Sequence, residues 1–165
     1  MPEVLPTLPR PRPELTVLQG RYCRLEPLEL RHARQLFEAS SGEANRSRFD
    51  YLWEYPPNDI AEVEHWIAQS NQSNDPLRFA VMDTGSGRCE GRQALMRIAP
   101  EHGCIELGGI YWGPAIARTR AATEACYLHL SHAFDTLGYR RFEWKCDNRN
   151  EASKSAALRF GFRFE

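Results

Sequence analysis

The sequence predicts an α/β fold, a mixed and mostly antiparallel sheet flanked by helices, and two patterns carry that expectation. Three strand candidates, 77–83 (LRFAVMD), 90–98 (EGRQALMRI) and 104–112 (CIELGGIYW), are separated by DTGSG and PEHG. Both separators are hairpin-type turns, which make neighbouring strands antiparallel. After residue 104 the pattern becomes strand, helix, strand, helix, and a strand, helix and strand in succession form a crossover that sets two strands parallel.

The elements follow in order. Residues 1–14 carry a proline every few positions and no apolar signal core, which predicts a mobile or extended arm ahead of a single domain at 15–165. Residues 20–27 alternate as a strand, and 28–39 set Leu30, Ala33, Leu36 and Phe37 on one helical face. Residues 40–58, with Gly42, Pro56 and Pro57, read as an irregular loop with room for a short helical turn. Asp59 is a candidate N-cap for a helix that groups Ile60, Val63 and Ile67. The long helix is expected over 120–137, with Thr119 as N-cap, Gly138 past its end, and Ala122, Cys126, Leu130, Ala133, Phe134 and Leu137 as its buried stripe. A strand at 140–146 alternates Phe142, Trp144 and Cys146 against charges, and a last helix over about 150–160 carries Ala152, Ala156 and Phe160 at spacing four.

Charge and cysteine usage narrow the function. The 21 basic and 22 acidic residues nearly cancel, so no global field calls for nucleic acid or an anionic membrane, and a small molecule or peptide is the expected partner. No run is long enough to span a bilayer. The five cysteines form no CxxC pair; four lie in or beside apolar segments, which favours buried free thiols in a cytoplasmic, reducing setting, with Cys89 in a turn-rich stretch as the exception. His129 and His132 lie three apart on the long helix, but no third ligand at metal spacing accompanies them, so no metal is expected and surface or partly buried histidines are favoured. GxSxG and Walker motifs are absent, and RTR at 118–120 is too short to argue for nucleic acid.

The joint IELGGIYWGPAIARTRAATEA, where a strand runs through a short connection into a helix, is the most informative segment. Backbone N–H groups without intrahelical partners point outward there, beside the positive end of the helix dipole, and such a joint can hold a diphosphate.

From about Leu15 onward, the order of elements resembles the GCN5-related N-acetyltransferases, in the group similar to the ribosomal-protein alanine acetyltransferases. The segments that carry the resemblance are IELGGIYWGPAI and TRAATEACYLHLSHAFDTLGYRRFEWKCDNRNEASKSAALRFGFRFE. It implies two central strands that splay apart, acetyl-coenzyme A in the gap, and an acetyl group passed to a primary amine of a small molecule or peptide N-terminus. By resemblance, the backbone of Ile110, Tyr111 and Trp112 pairs with the pantetheine arm. Arg118, Thr119, Arg120, Ala121, Ala122 and Thr123 match the pyrophosphate loop, and Asn150 and Ser153 match an Asn-x-x-Ser that holds the cofactor's amide linkages. Asn150 equally reads as a plain helix cap.

Direct aminolysis of a thioester needs an amine that has lost its proton and donors for the oxygen that gains charge. Glu106 lies on the strand the family uses for its base, one residue off the Ile105 and Leu107 register; it equally reads as a structural ion-pair partner. The N–H groups near Gly109 and Ile110 are candidate donors. The family covers its acceptor with the loop before the second helix, where Tyr51, Trp53 and Tyr55 alternate with Asp50 and Glu54 nearby, a set suited to a cationic amine. Three departures stand out: Ala117 and Arg120 replace a polar residue and a glycine of the phosphate loop, Ala157 stands where many members have a tyrosine acid, and the final strand past GF is missing. They motivate an alternative, a non-catalytic acyl-coenzyme A binding module, and leave a sheet edge that a homodimer would cover.

Overall fold

The computed structural model describes residues 7–165; residues 1–6 of the proline-rich arm lie outside the described residues. Six strands form one sheet in the order β1 (Leu18–Gln19), β2 (Cys23–Pro27), β3 (Leu77–Asp83), β4 (Arg88–Ala99), β5 (Cys104–Trp112) and β6 (Arg141–Glu143). Neighbours are antiparallel from β1 to β5, and β5 with β6 is parallel; the hairpin turns predict the β3–β4 and β4–β5 pairs and the crossover predicts the last. Four α-helices flank it: α1 (Ala33–Ser40), α2 (Ile60–Ser70), α3 (Arg120–Ser131) and α4 (Glu151–Arg159). Among the described residues no helix is long and apolar enough to cross a membrane.

Strand alternation assigns each face its helices. In β3, Phe79 and Val81 join Cys23, Leu25, Leu95, Ile105 and Leu107 in a core that α3 closes with Ala121, Ala125 and Cys126. Ala80 points the other way and joins Leu28, Ala33, Leu36, Val63 and Ile67 under α1 and α2. The helix starts follow their caps: Asp59 accepts from the Glu62 N–H and Thr119 from the Ala121 N–H.

Several expectations shift. Arg120–Ser131 is α-helical and continues through a π-type turn, His132–Thr136. Its buried face is Ala121, Ala122, Ala125, Cys126 and His129, while Phe134 is exposed; small residues face the sheet because they let the helix approach closely. Cys89 is fully buried on β4, where the hairpin pairing extends further than the turn residues suggested, and Cys146 is exposed. His129 is fully buried too, its ring bonded to the Gln93 side chain at 2.8 Å. The last strand spans Arg141–Glu143 rather than 140–146, because β5 and β6 part there. The described part of the arm lies against the domain, with the Arg10 N–H donating to the Pro100 carbonyl at 2.9 Å and Arg12 to the Asn74 carbonyl at 2.9 Å.

Candidate active site

The site is built around a wedge. β5 and β6 pair only at Cys104 with Arg141, Ile105 with Phe142 and Glu106 with Glu143, after which β5 runs on to Trp112 without β6 beside it. The Gly113 N–H donates to the Glu90 carbonyl, so the facing residues Gly91 and Trp112 form a non-hydrogen-bonded pair. Trp112 therefore turns its own N–H and C=O toward the opened side, where Arg48 reaches its carbonyl at 3.3 Å.

A bulge in β5 decides which side chains look where. Ala94 faces Gly108 and Arg92 faces Tyr111, so Gln93 alone opposes both Gly109 and Ile110. Gly109 takes φ +57°, a conformation glycine enters without steric cost. The extra residue moves the alternation by one: Ile105 and Leu107 before it, and Ile110 and Trp112 after it, all pack on the α3 side. Glu106 and Tyr111 accordingly share the opposite face, that of α1 and α2.

At the start of α3, a cleft of about 500 Å³ is lined by Tyr22, Arg118, Thr119, Arg120, Thr123, Glu124 and Tyr127. Arg118 holds a left-handed backbone, φ +63°, and Thr119 caps the helix that follows. The backbone N–H groups of Arg118, Arg120 and Ala122 have no acceptor among the described residues. Arg120 turns outward, its guanidinium 5.5 Å from the centre of the Tyr22 ring, so it lines the cleft rather than plugging it. Ala121 and Ala122 bury their side chains in the core and offer the cleft only backbone.

The far wall of this cleft is fixed by a group the sequence did not single out. Glu124 accepts the N–H groups of Arg21, Tyr22 and Cys23 at 2.9, 2.6 and 2.8 Å. Burial acts to raise its pKa, but these bonds outweigh it and hold the carboxyl below its ordinary value. A Cβ at Gly20 would strike the same carboxylate, which explains glycine there.

At the start of α4, Asn150 is the N-cap and accepts the Ser153 N–H at 3.0 Å, while the Ser153 hydroxyl receives the Trp144 indole N–H at 2.8 Å. Trp144 and Phe160 pack edgewise on Trp112, 6.4 and 6.1 Å away between ring centres. These aromatic rings line the α3 side of the wedge.

Glu106 sits at the apex of the wedge, where the strands separate. Its side chain is only 4% exposed, and Oε2 receives Arg97 Nη1 at 2.7 Å and Lys145 Nζ at 2.8 Å. Oε1 has no hydrogen-bond partner among the described residues, and it lies 3.5 Å from where a Cβ on Gly108 would stand. For Lys145, burial works to lower the pKa, but hydrogen bonds to Glu106 and Glu143 prevail and raise it above the ordinary lysine value. Arg97 is set by a strained backbone, φ +45°, which Asp75 sustains by accepting the N–H groups of Arg97 and Ile98, each at 3.0 Å.

Across the sheet from α3, a pocket of about 510 Å³ lies between the loop 43–58, α1 and α2, with Phe49, Glu54, Tyr55, Trp66, Arg92 and Tyr111 among its walls. Tyr111 is buried and donates its hydroxyl hydrogen to the Ala39 carbonyl at 2.9 Å; burial pushes that hydroxyl up to about 12. Arg92 bonds the carbonyl of Gly109 at 2.7 Å and pairs with Glu54 at 3.2 Å. Of the three loop aromatics, Tyr55 lines this pocket, Tyr51 donates to the Arg149 carbonyl at 3.2 Å, and Trp53 stands in solvent, 98% exposed. Among the described residues no group of three or more His, Cys, Asp or Glu is placed to hold a metal ion.

Residues 23–163 match the family model described as the acetyltransferase (GNAT) domain. The fold superposes on the crystal structure of a GCN5-related N-acetyltransferase from Brucella melitensis with a TM-score of 0.94 and 55% identity, covering 96% of this chain and 72% of that one. It is also similar to a probable acetyltransferase (GNAT family) from Chromobacterium violaceum ATCC 12472, with a TM-score of 0.86 and 35% identity over 100% of this chain and 86% of that one. No curated protein matches its sequence.

Proposed function

The chain belongs to the GNAT acetyltransferase family, and on that premise we propose that it moves an acetyl group from acetyl-coenzyme A to a primary amine of a small molecule or peptide N-terminus. The observation that carries this reading is the wedge beyond Glu106 and Glu143, which leaves one edge of β5 without a neighbouring strand. Acetyl-coenzyme A supplies the acetyl group already activated as a thioester.

The residues present fit such a group. The Trp112 backbone on the open edge pairs with an extended amide arm, continuing the sheet. The free amides of Arg118, Arg120 and Ala122, the dipole of α3 and the two guanidiniums hold a diphosphate. Asn150 caps α4 through its oxygen and keeps its amide nitrogen for the cofactor side. Glu106 is the proton acceptor through Oε1, directly or by way of one water, while Arg97 and Lys145 fix its position through Oε2. The N–H groups at the Gly109 bulge face the carbonyl oxygen as charge moves onto it. Of Tyr51, Trp53 and Tyr55, Tyr55 serves the acceptor side, since it alone of the three lines the pocket. The free thiols, with no disulfide among the described cysteines, support a cytoplasmic setting.

A thiol-release assay with a panel of amines tests this. Glu106→Gln is expected to lower kcat about 100-fold or more while coenzyme A affinity, read by calorimetry, stays unchanged. Coenzyme A binding without turnover on any amine would instead assign a non-catalytic binding module, and equal activity of the variant would clear Glu106.

A further inference from the structure

The wall of the pocket of about 510 Å³ on the α1 and α2 face carries one cation, Arg92, and two acids, Glu54 and Glu62. Arg92, 9% exposed in its side chain, lies with its guanidinium 4.4 Å from the centre of the Trp66 ring. Arg78, outside the pocket wall, approaches the same ring at 5.5 Å, and among the described residues its guanidinium has one hydrogen-bond partner, the Ser70 carbonyl at 3.1 Å. Burial lowers the pKa of both guanidiniums, and for Arg78 the Arg92 charge lowers it further. One carboxylate answers the two. It is Glu54, more exposed than Arg92 at 25%, on a loop whose neighbours Trp53 and Tyr55 are 98% and 90% exposed. Glu62, the other acid in the pocket wall, is occupied by the backbone N–H and side-chain amide of Asn58.

We propose that this pocket binds an α-amino acid with an apolar side chain as acetyl acceptor, that Arg92 anchors its carboxylate, and that Glu54 is the internal carboxylate it displaces. This rests on the acetyl-transfer reading and narrows it. Two features of the site favour it. Arg92 bonds the Gly109 carbonyl through Nη1, so a carboxylate that replaces Glu54 at Nη2 places the adjacent α-amine beside the bulge where β5 opens. Leu36, Phe49, Val63 and Trp66 provide an apolar wall for a side chain, and the volume is large enough to admit an amino acid. Arginine rather than lysine fits the role, since its planar fork grips a carboxylate with two parallel bonds and stacks on the indole.

Calorimetry with phenylalanine, phenylalaninamide and phenethylamine, each with and without coenzyme A, tests the proposal, and thiol release is measured in parallel. Phenylalanine is expected to bind about tenfold or more tightly than the two analogues that lack a carboxylate. Arg92→Met keeps the apolar stem and is expected to erase that preference. Glu54→Gln removes the internal competitor from an exposed loop, with little risk to folding, and is expected to tighten phenylalanine binding severalfold. Equal or weaker binding of phenylalanine than of the analogues, its failure to bind at millimolar concentration, or weaker binding by Glu54→Gln would each overturn the proposal. Carboxylate-dependent binding without thiol release from any amine would refute only the acetyl-transfer reading, and turnover indifferent to the carboxylate would refute only the amino-acid acceptor.

Discussion

Glu124→Gln is the sharpest probe of how this fold shapes the cleft at the start of α3. The native carboxylate accepts three consecutive N–H groups, Arg21 through Oε1 and both Tyr22 and Cys23 through Oε2. A carboxamide can keep its oxygen toward Tyr22 and Cys23, but its NH2 then faces the Arg21 N–H, and the two remaining bonds lose their charge. Hydrogen bonds to charged groups contribute about 1.5–3 kcal/mol and neutral ones about 0.5–1.5, so two bonds that turn neutral cost about 2–3 kcal/mol once water meets the exposed Arg21 N–H. For a domain of this size that lowers Tm by about 4–12 °C.

The pH dependence has a defined sign. Because the folded-state pKa of Glu124 is depressed, its stabilisation is fully present above the unfolded value and is lost as pH falls through the folded pKa. The Tm gap between wild type and Glu124→Gln is therefore full at pH 7 and narrows in acid below about pH 4.5, the ordinary glutamate value. Calorimetric unfolding from pH 7 down to pH 3 reads it. The same substitution loosens the loop that presents Tyr22, so coenzyme A affinity falls severalfold. Equal Tm for the two proteins at pH 7, or a gap that grows in acid, would refute the assignment of Glu124 as the clamp.

Arg118→Ala combined with Arg120→Ala is expected to weaken coenzyme A about tenfold or more and to flatten the salt dependence of binding, since both guanidiniums stand beside the free amides of α3; an unchanged titration at low and high salt would separate them from the diphosphate. Gly91→Ala places a Cβ 2.5 Å from the Tyr111 carbonyl oxygen and 3.2 Å from the Trp112 Cα. Backbone cannot yield as a side chain does, so the expected cost is about 1–3 kcal/mol, and urea unfolding that matched wild type would show the β4–β5 pairing to be more open than its register indicates.

The layered fold was legible because each element carried its own period and its own punctuation. DTGSG and PEHG made hairpins, Asp59 and Thr119 began helices, and Gly138 followed the long one. The open helix start at Thr119 was legible for the same reason, since it is a local feature. What escaped were contacts between distant segments. Glu124 meets Arg21, Tyr22 and Cys23 across about a hundred residues of chain, and Arg92 meets Glu54 from a loop with no regular pattern. Gly20 was a visible signal for the first, but glycine reports a close approach without naming the partner.

The bulge at Gly109 shows how one residue changes which side chains share a face. With unbroken alternation from Ile105, the residues at odd positions stay together, so Tyr111 falls on the α3 side and Ile110 and Trp112 on the other. One inserted residue reverses all three: Trp112 then meets Trp144 and Phe160, and Tyr111 enters the pocket with Arg92. Glu106 precedes the bulge and keeps its face, so the slip puts Glu106 and Tyr111 on one side of the sheet, where their spacing of five would separate them in a regular strand. The candidate base and the candidate acceptor pocket therefore share a face because the chain is one residue out of step between them. A substitution that forced Gly109 to an ordinary strand φ would separate the two even if every side chain survived.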